Sequence, residues 1–161
     1  TLLRDMGQAM SPFNAFLFLT GLETLMLRQE RHCENAAKVA EFLDGHDKVT
    51  RVIYPGVMTG EARRRADAYL KGGYGGLVGF ELPGGMAAGK KFIDALAMFY
   101  HVANIGDARS LAIHPASTTH SQLSAEELAA SGAPEGYVRL SVGLEHIDDI
   151  LADLSQALDA V

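Results

Sequence analysis

The chain has one cysteine, Cys33, no tryptophan and only five prolines in 161 residues. A single thiol excludes an internal disulfide and fits a reducing, cytoplasmic compartment. No apolar run reaches membrane-spanning length, and no segment has the plan of a secretory signal. The nearest approach, residues 13–27, is interrupted by Asn14 and Glu23, and Gly21 marks a break or kink. It reads as a buried helix. Positive charge is in deficit, with a formal net charge of −6, which argues against a nucleic-acid surface. The densest basic run, Arg63-Arg64-Arg65, is diluted by Glu61 and Asp67 and reads as a solvated helix face. Paired metal-ligand spacing is missing as well: six histidines form no H-E-x-x-H or comparable motif, and His114 and His120 share only a loop. Cys33 and His32 are neighbours on a helix and point apart, so they make no nucleophile pair.

What is present is an ordinary globular composition, nearly half apolar and about a fifth charged, at a length that suits one domain. The chain begins at Thr1 with no initiator methionine, which fits processing or a piece of something longer. Ser11-Pro12 opens a first helix as N-cap and first-turn proline. A more amphipathic helix over residues 23–43 stops at Gly45. Strands are expected over 49–54, 77–82 and 99–104, with helices over 59–70 and 86–97 between them. Residues 105–122 read as one long irregular segment, a length that usually signals function. Ser124 and Glu127 form a capping box for a short helix. A fourth strand, 137–143, precedes a final helix over 146–160. The order implies an α+β fold: a four-stranded, mainly antiparallel sheet with helices packed on one side.

Two segments carry chemistry. In Gly136-Tyr137-Val138-Arg139-Leu140-Ser141-Val142-Gly143 the strand period puts Val138, Leu140 and Val142 on the apolar face. Tyr137, Arg139 and Ser141 share the other. Arg139 is then a guanidinium on a rigid mid-sheet position, suited to bidentate capture of a carboxylate or phosphate, or else a solvated or structurally paired arginine. The second segment, Asn104 to Ser121, gathers amide, hydroxyl and imidazole groups that can surround an anion or simply satisfy their own backbone. Gly84 to Lys90 spells most of a P-loop, but Lys91 stands where the magnesium-binding hydroxyl belongs, so it reads as a turn.

The run NIGDARSLAIHPASTTHSQLSAEELAASGAPEGYVRLSVGLEHIDDILADLSQAL closely resembles the C-terminal domain of O-acetylhomoserine sulfhydrylases, pyridoxal-phosphate enzymes of cysteine and methionine metabolism. MSPFNAFLFLTGLETLMLRQERHCENAAKVAEFL is similar to the segment joining their large cofactor domain to the small one. The resemblance implies linking helices over 1–45 and a substrate-binding domain over 46–161 of a fold-type I enzyme. It implies that Arg139 holds the substrate α-carboxylate, with Asn104 near the same group and Thr119 lining that end of the site.

The resemblance also implies a parent that makes homocysteine or methionine from O-acetylhomoserine and a sulfur nucleophile, as a cytoplasmic dimer or tetramer. Methionine γ-lyase, cystathionine γ-synthase and O-succinylhomoserine sulfhydrylase are alternatives within the superfamily. A standalone, non-catalytic carboxylate-binding or assembly domain is the alternative outside it. None of Lys38, Lys48, Lys71, Lys90 and Lys91 lies in the family's lysine motif. The Schiff-base lysine and the cofactor's other partners are therefore expected in the large domain, so this chain by itself is expected to bind no pyridoxal phosphate and to be inactive. The partners expected are that large domain and a small amino-acid substrate, with no nucleic acid and no membrane.

Overall fold

A computed structural model describes residues 2–161. Helix α1 (Leu2–Met6) leads to α2 (Pro12–Glu23), where the Ser11 hydroxyl accepts from the Asn14 amide at 3.1 Å and Pro12 begins the first turn. The expected break at Gly21 falls instead at Thr24, after which α3 (Leu25–Asp44) runs to Gly45. Strand β1 (Arg51–Ile53), α4 (Gly60–Tyr69), β2 (Leu77–Glu81) and α5 (Gly85–Ala95) follow. Then come β3 (Tyr100–His101), β4 (Leu111–Ile113), a 3-10 turn (Pro115–Ser117), α6 (Ala125–Ser131), β5 (Tyr137–Ser141) and α7 (Ile147–Ala160).

The sheet has five strands in the order β1-β2-β5-β4-β3, which corrects the four-stranded expectation. Three neighbouring pairs are antiparallel, and β3 runs parallel to β4. The extra strand is Leu111–Ile113, inside the segment expected to be irregular throughout. All three of its residues are buried, so it shows no alternation that a period-two reading could detect. The 3-10 turn shortens that irregular segment further.

The core lies on one face of the sheet. Val52, Val78, Phe80, Ala112, Val138 and Leu140 pack against Ala36, Val39 and Leu43 of α3, Phe92 of α5, and Ile150 and Leu154 of α7. Phe80 and Phe92 meet edge to face, with centroids 5.3 Å apart. Asp153 of α7 ties the sheet to its helices: its carboxylate accepts from the Ala97, Met98 and Phe99 amides at 2.8, 2.9 and 3.2 Å. Helix α6 carries the expected capping box, Ser124 with Glu127.

One expectation is reversed. No residue of α2 is buried: Phe13, Phe16, Phe18 and Leu19 are each more than 60 % exposed. Among the described residues the main neighbour of α2 is α3, so a helix apolar nearly all round lies in the open instead of inside.

Candidate functional site

The face of the sheet opposite the helices carries Tyr137, Arg139 and Ser141, as the alternation along β5 requires. Arg139 stands mid-sheet, paired in register with Gly79 of β2 and Ile113 of β4. Gly79 is needed there, because the Tyr137 ring occupies the space a Cβ would take. Burial pushes the Tyr137 phenol above its ordinary pKa, with Glu81 adding to the effect and the Arg139 charge opposing it. The phenol therefore stays neutral beside the guanidinium.

Arg139 is half-buried, and its Nη2 donates to the backbone carbonyls of Ala103 at 3.0 Å and Asn104 at 3.5 Å. Its Nε–H is buried without an acceptor. A buried donor of this strength left unpaired costs free energy, and an anionic oxygen reaching it would recover that cost. Arg109, the other cation nearby, is engaged over the Tyr100 ring, 5.0 Å from its centroid.

The segment between β3 and β4 folds back over this face. Gly106 donates its amide to the Ser141 hydroxyl at 2.9 Å, and Ala108 accepts from the Leu144 amide at 2.8 Å. At its root Ser110, fully buried, donates its amide and its hydroxyl to the two carboxylate oxygens of Glu145, at 2.7 and 2.9 Å. The same hydroxyl accepts from the Gly143 amide at 2.9 Å. Asn35 of α3 donates to the carbonyls of Gly143 and Glu145, both at 3.0 Å, and the His32 ring donates to the Val142 carbonyl at 2.6 Å.

Next to Ala103 a cleft of about 490 Å³ is lined by His101, Val102, Ala103, Ile113, Thr118 and Thr119. Arg139 and the Asn104 backbone are thus in contact, and Thr119, which is exposed, lines the cleft that Ala103 borders. The hydroxyls of the HPASTTH turn are largely satisfied among themselves. Thr118 donates to the His114 carbonyl at 2.8 Å, and Thr119 Oγ1 lies 2.8 Å from His120 Nδ1.

His114 anchors this turn. It is fully buried, its Nε2 donates to the Glu135 carbonyl at 2.6 Å, and Nδ1 lies 2.8 Å from the Ser117 hydroxyl. A carbonyl can only accept, so Nε2 carries the proton and Nδ1 accepts from Ser117. Burial holds the His114 pKa below the ordinary histidine value. Ser110 and His114 fall in the segment that the sequence marked as able to surround an anion, but both are spent on structure here, and Glu145, the partner of Ser110, was not legible as a site element. Ser141 was, through its shared face with Arg139.

The residues present do not fit pyridoxal phosphate as an anchored cofactor. Lys48 donates to the carbonyls of Leu158 and Asp159, Lys71 donates to that of Asp67, and Lys38, Lys90 and Lys91 lie exposed on α3 and α5. None reaches the face that carries Arg139. Gly84 and Gly85 take positive φ, 96° and 59°, as a turn into α5. No group of three metal-ligating side chains occurs among the described residues, and no helix of them is long and apolar enough to cross a membrane.

Residues 1–159 match the family model described as Cys/Met metabolism PLP-dependent enzyme. The chain is 58% identical over 157 residues to the O-acetyl-L-homoserine sulfhydrylase of Leptospira meyeri, covering 97% of this chain and 36% of that protein. It is 48% identical over 159 residues to the L-methionine gamma-lyase of Pseudomonas putida, covering 98% of this chain and 40% of the relative. Among solved structures, an O-acetylhomoserine (thiol)-lyase from Campylobacter jejuni, determined with N'-pyridoxyl-lysine-5'-monophosphate, superposes with a TM-score of 0.88. That likeness holds at 44% identity over 99% of this chain and 38% of that one. A cystathionine gamma synthase from Xanthomonas oryzae pv. oryzae, in complex with aminoacrylate and cysteine, gives a TM-score of 0.85 at 44% identity, over 97% and 40% of the two chains. The chain spans a little over a third of the length of the curated relatives it matches. With its sheet, its RLSVG strand and the loop over it all accounted for, this chain belongs to the PLP-dependent enzymes of cysteine and methionine metabolism.

Proposed function

We propose that this chain is the substrate-orienting portion of an O-acetylhomoserine sulfhydrylase, the C-terminal part of a longer enzyme. The buried, acceptor-free Nε–H of Arg139 carries the reading. A carboxylate offered to Arg139 would take that donor and share the guanidinium with the Ala103 and Asn104 carbonyls, which already fix its plane. Asn104 and Thr119 border the same end of the site, where the rest of an amino-acid substrate would extend. Sheet register and core packing hold the arginine, so little entropy is lost when it binds.

In the whole reaction the Cγ–O bond of O-acetylhomoserine breaks, acetate leaves, and a Cγ–S bond to sulfide or a thiol forms, giving homocysteine or methionine. Bound pyridoxal phosphate supplies the electron sink for such chemistry. Its anchoring lysine and phosphate partners are assigned to the large domain of the parent, and this chain alone is assigned no activity. Residues 1–45 serve as linking helices, with the second half of α3 built into the core of the small domain. The parent is assigned to the cytoplasm as a homo-oligomer.

The test is Arg139→Ala in the full-length enzyme. One charge-assisted, bidentate contact is worth about 1.5–3 kcal/mol, so kcat/KM for O-acetylhomoserine falls about 10- to 100-fold while cofactor absorbance is kept. An unchanged kcat/KM removes the assignment. The 48% identity to a methionine gamma-lyase supports a second reading, elimination from methionine. Assaying the same enzyme with O-acetylhomoserine, O-succinylhomoserine and methionine separates the two.

A further inference from the structure

The segment that meets Arg139 has no apolar anchor of its own. Every residue from Val102 to Arg109 is exposed. Besides the Val102 amide on the Ala112 carbonyl, at 3.2 Å, and the Arg109 guanidinium over Tyr100, polar bonds to β5 and to the chain just beyond it set its position. Three of these tethers are modest: Arg139 Nη2 to the Ala103 and Asn104 carbonyls, Gly106 to Ser141, and Leu144 to Ala108. The fourth is a two-pronged, charge-assisted clasp from Glu145 to the amide and hydroxyl of buried Ser110, backed by the Gly143 amide on the same hydroxyl.

The clasp is close-fitting. A Cβ on Gly143 would stand 2.5 Å from the Ser110 nitrogen and 2.6 Å from the Ala108 oxygen, and would overlap the Glu145 carboxylate. Asn35, bonded to the carbonyls of both Gly143 and Glu145, fixes the clasp to α3. Core, clasp and loop thus form one connected set of bonds ending at the carbonyls that orient the Arg139 guanidinium.

We infer that Glu145 is a positioning residue for the carboxylate site: through Ser110 it holds the loop from Ala103 to Ala108 in the register that keeps Arg139 aimed at substrate. This rests on the reading of Arg139 given above. Without the clasp the loop loses its strongest tether, and Arg139 no longer meets fixed acceptors at Ala103 and Asn104. The consequence is weaker substrate binding, with the chemical step spared.

The experiment is a double-mutant cycle in the full-length, cofactor-loaded enzyme: Glu145→Ala, Arg139→Ala and the pair, with Glu145→Gln as the conservative variant. Glu145→Ala raises KM for the amino-acid substrate about tenfold, the scale of one charge-assisted hydrogen bond, with kcat changed less than threefold. Glu145→Gln, which retains an acceptor for the Ser110 amide, recovers part of that loss. In the Arg139→Ala background the Glu145 effect vanishes. Where Glu145→Ala does not accumulate, Ser110→Ala reads the same contact with the loss of a single oxygen. An unchanged KM, a loss confined to thermal stability, or effects that simply multiply in the double variant would overturn the inference while leaving Arg139 as the carboxylate ligand. An Arg139→Ala enzyme with normal kcat/KM would overturn both.

Discussion

Tyr137 occupies the space over Gly79 that a side chain there would need: a Cβ on Gly79 would come within 2.7 Å of the Tyr137 Cε2 atom and closer still to its hydroxyl. The glycine lies directly opposite Arg139 in the ladder between β2 and β5. The aromatic ring and the guanidinium are therefore packed on one face by a missing methyl group.

Gly79→Ala follows from this contact. Overpacking of a tight site costs about 1–3 kcal/mol, so the full-length protein should unfold at lower temperature. The ring would be driven from its place over the residue opposite Arg139, so a loss of substrate affinity should accompany the lower Tm. Thermal denaturation together with a KM measurement checks both, and a variant with wild-type Tm would contradict the packing.

Arg139→Lys separates charge from shape. Lysine keeps the cation but cannot present the planar fork or the Nε–H. We expect kcat/KM to fall about tenfold or more, close to the alanine variant and well below wild type. Full activity in the lysine enzyme would mean that a point charge suffices.

His114 makes stability depend on pH. Its pKa in the folded protein lies below the ordinary value of 6.5, burial being the main cause and the bond to the Glu135 carbonyl opposing it. The unfolded chain thus binds the proton first as pH falls. Stability is full above about pH 6.5 and declines from there down to the lowered folded value, below which the loss levels off. Denaturant midpoints measured across this range should show the decline in the wild type, and His114→Gln should lack that component. Parallel profiles for the two proteins would show that another group titrates.

Asp153→Ala tests the seam between α7 and the start of β3. Three backbone amides lose their acceptor at once, at a cost of about 2–4 kcal/mol. Asp153→Asn keeps an acceptor but not the charge and should fall between. Urea unfolding of the full-length variants measures the order, which a merely solvated carboxylate would not produce.

Much of the sheet was readable because its apolar residues alternate: Val138 and Leu140, like Val78 and Phe80, announce one buried face and leave Arg139 on the other. Helix ends with their own chemistry were equally plain, as Ser11-Pro12 and the Ser124–Glu127 box show. Leu111–Ile113 escaped because all three of its residues are apolar and buried, so neither pattern alternates there. Family likeness implied that Asn104 lies near the carboxylate expected on Arg139; the structure has the Asn104 backbone carbonyl accepting from Arg139. The clasp at the root of that loop was not anticipated, since Ser110 and Glu145 stand 35 residues apart and nothing in either sequence neighbourhood names its partner. Helix α2 misled for a different reason: an all-round apolar pattern suits a helix covered on several sides, yet it names no partner, and none of its residues is buried here.

That last point bears on how the parent would be made. A twelve-residue helix is marginal in water by itself, and Phe13, Phe16, Phe18 and Leu19 would be a hazard to any nascent protein left waiting for a partner. In the parent proposed above, the large domain leaves the ribosome first. These side chains would then emerge beside a surface already folded, and the order of synthesis would help to keep them from one another.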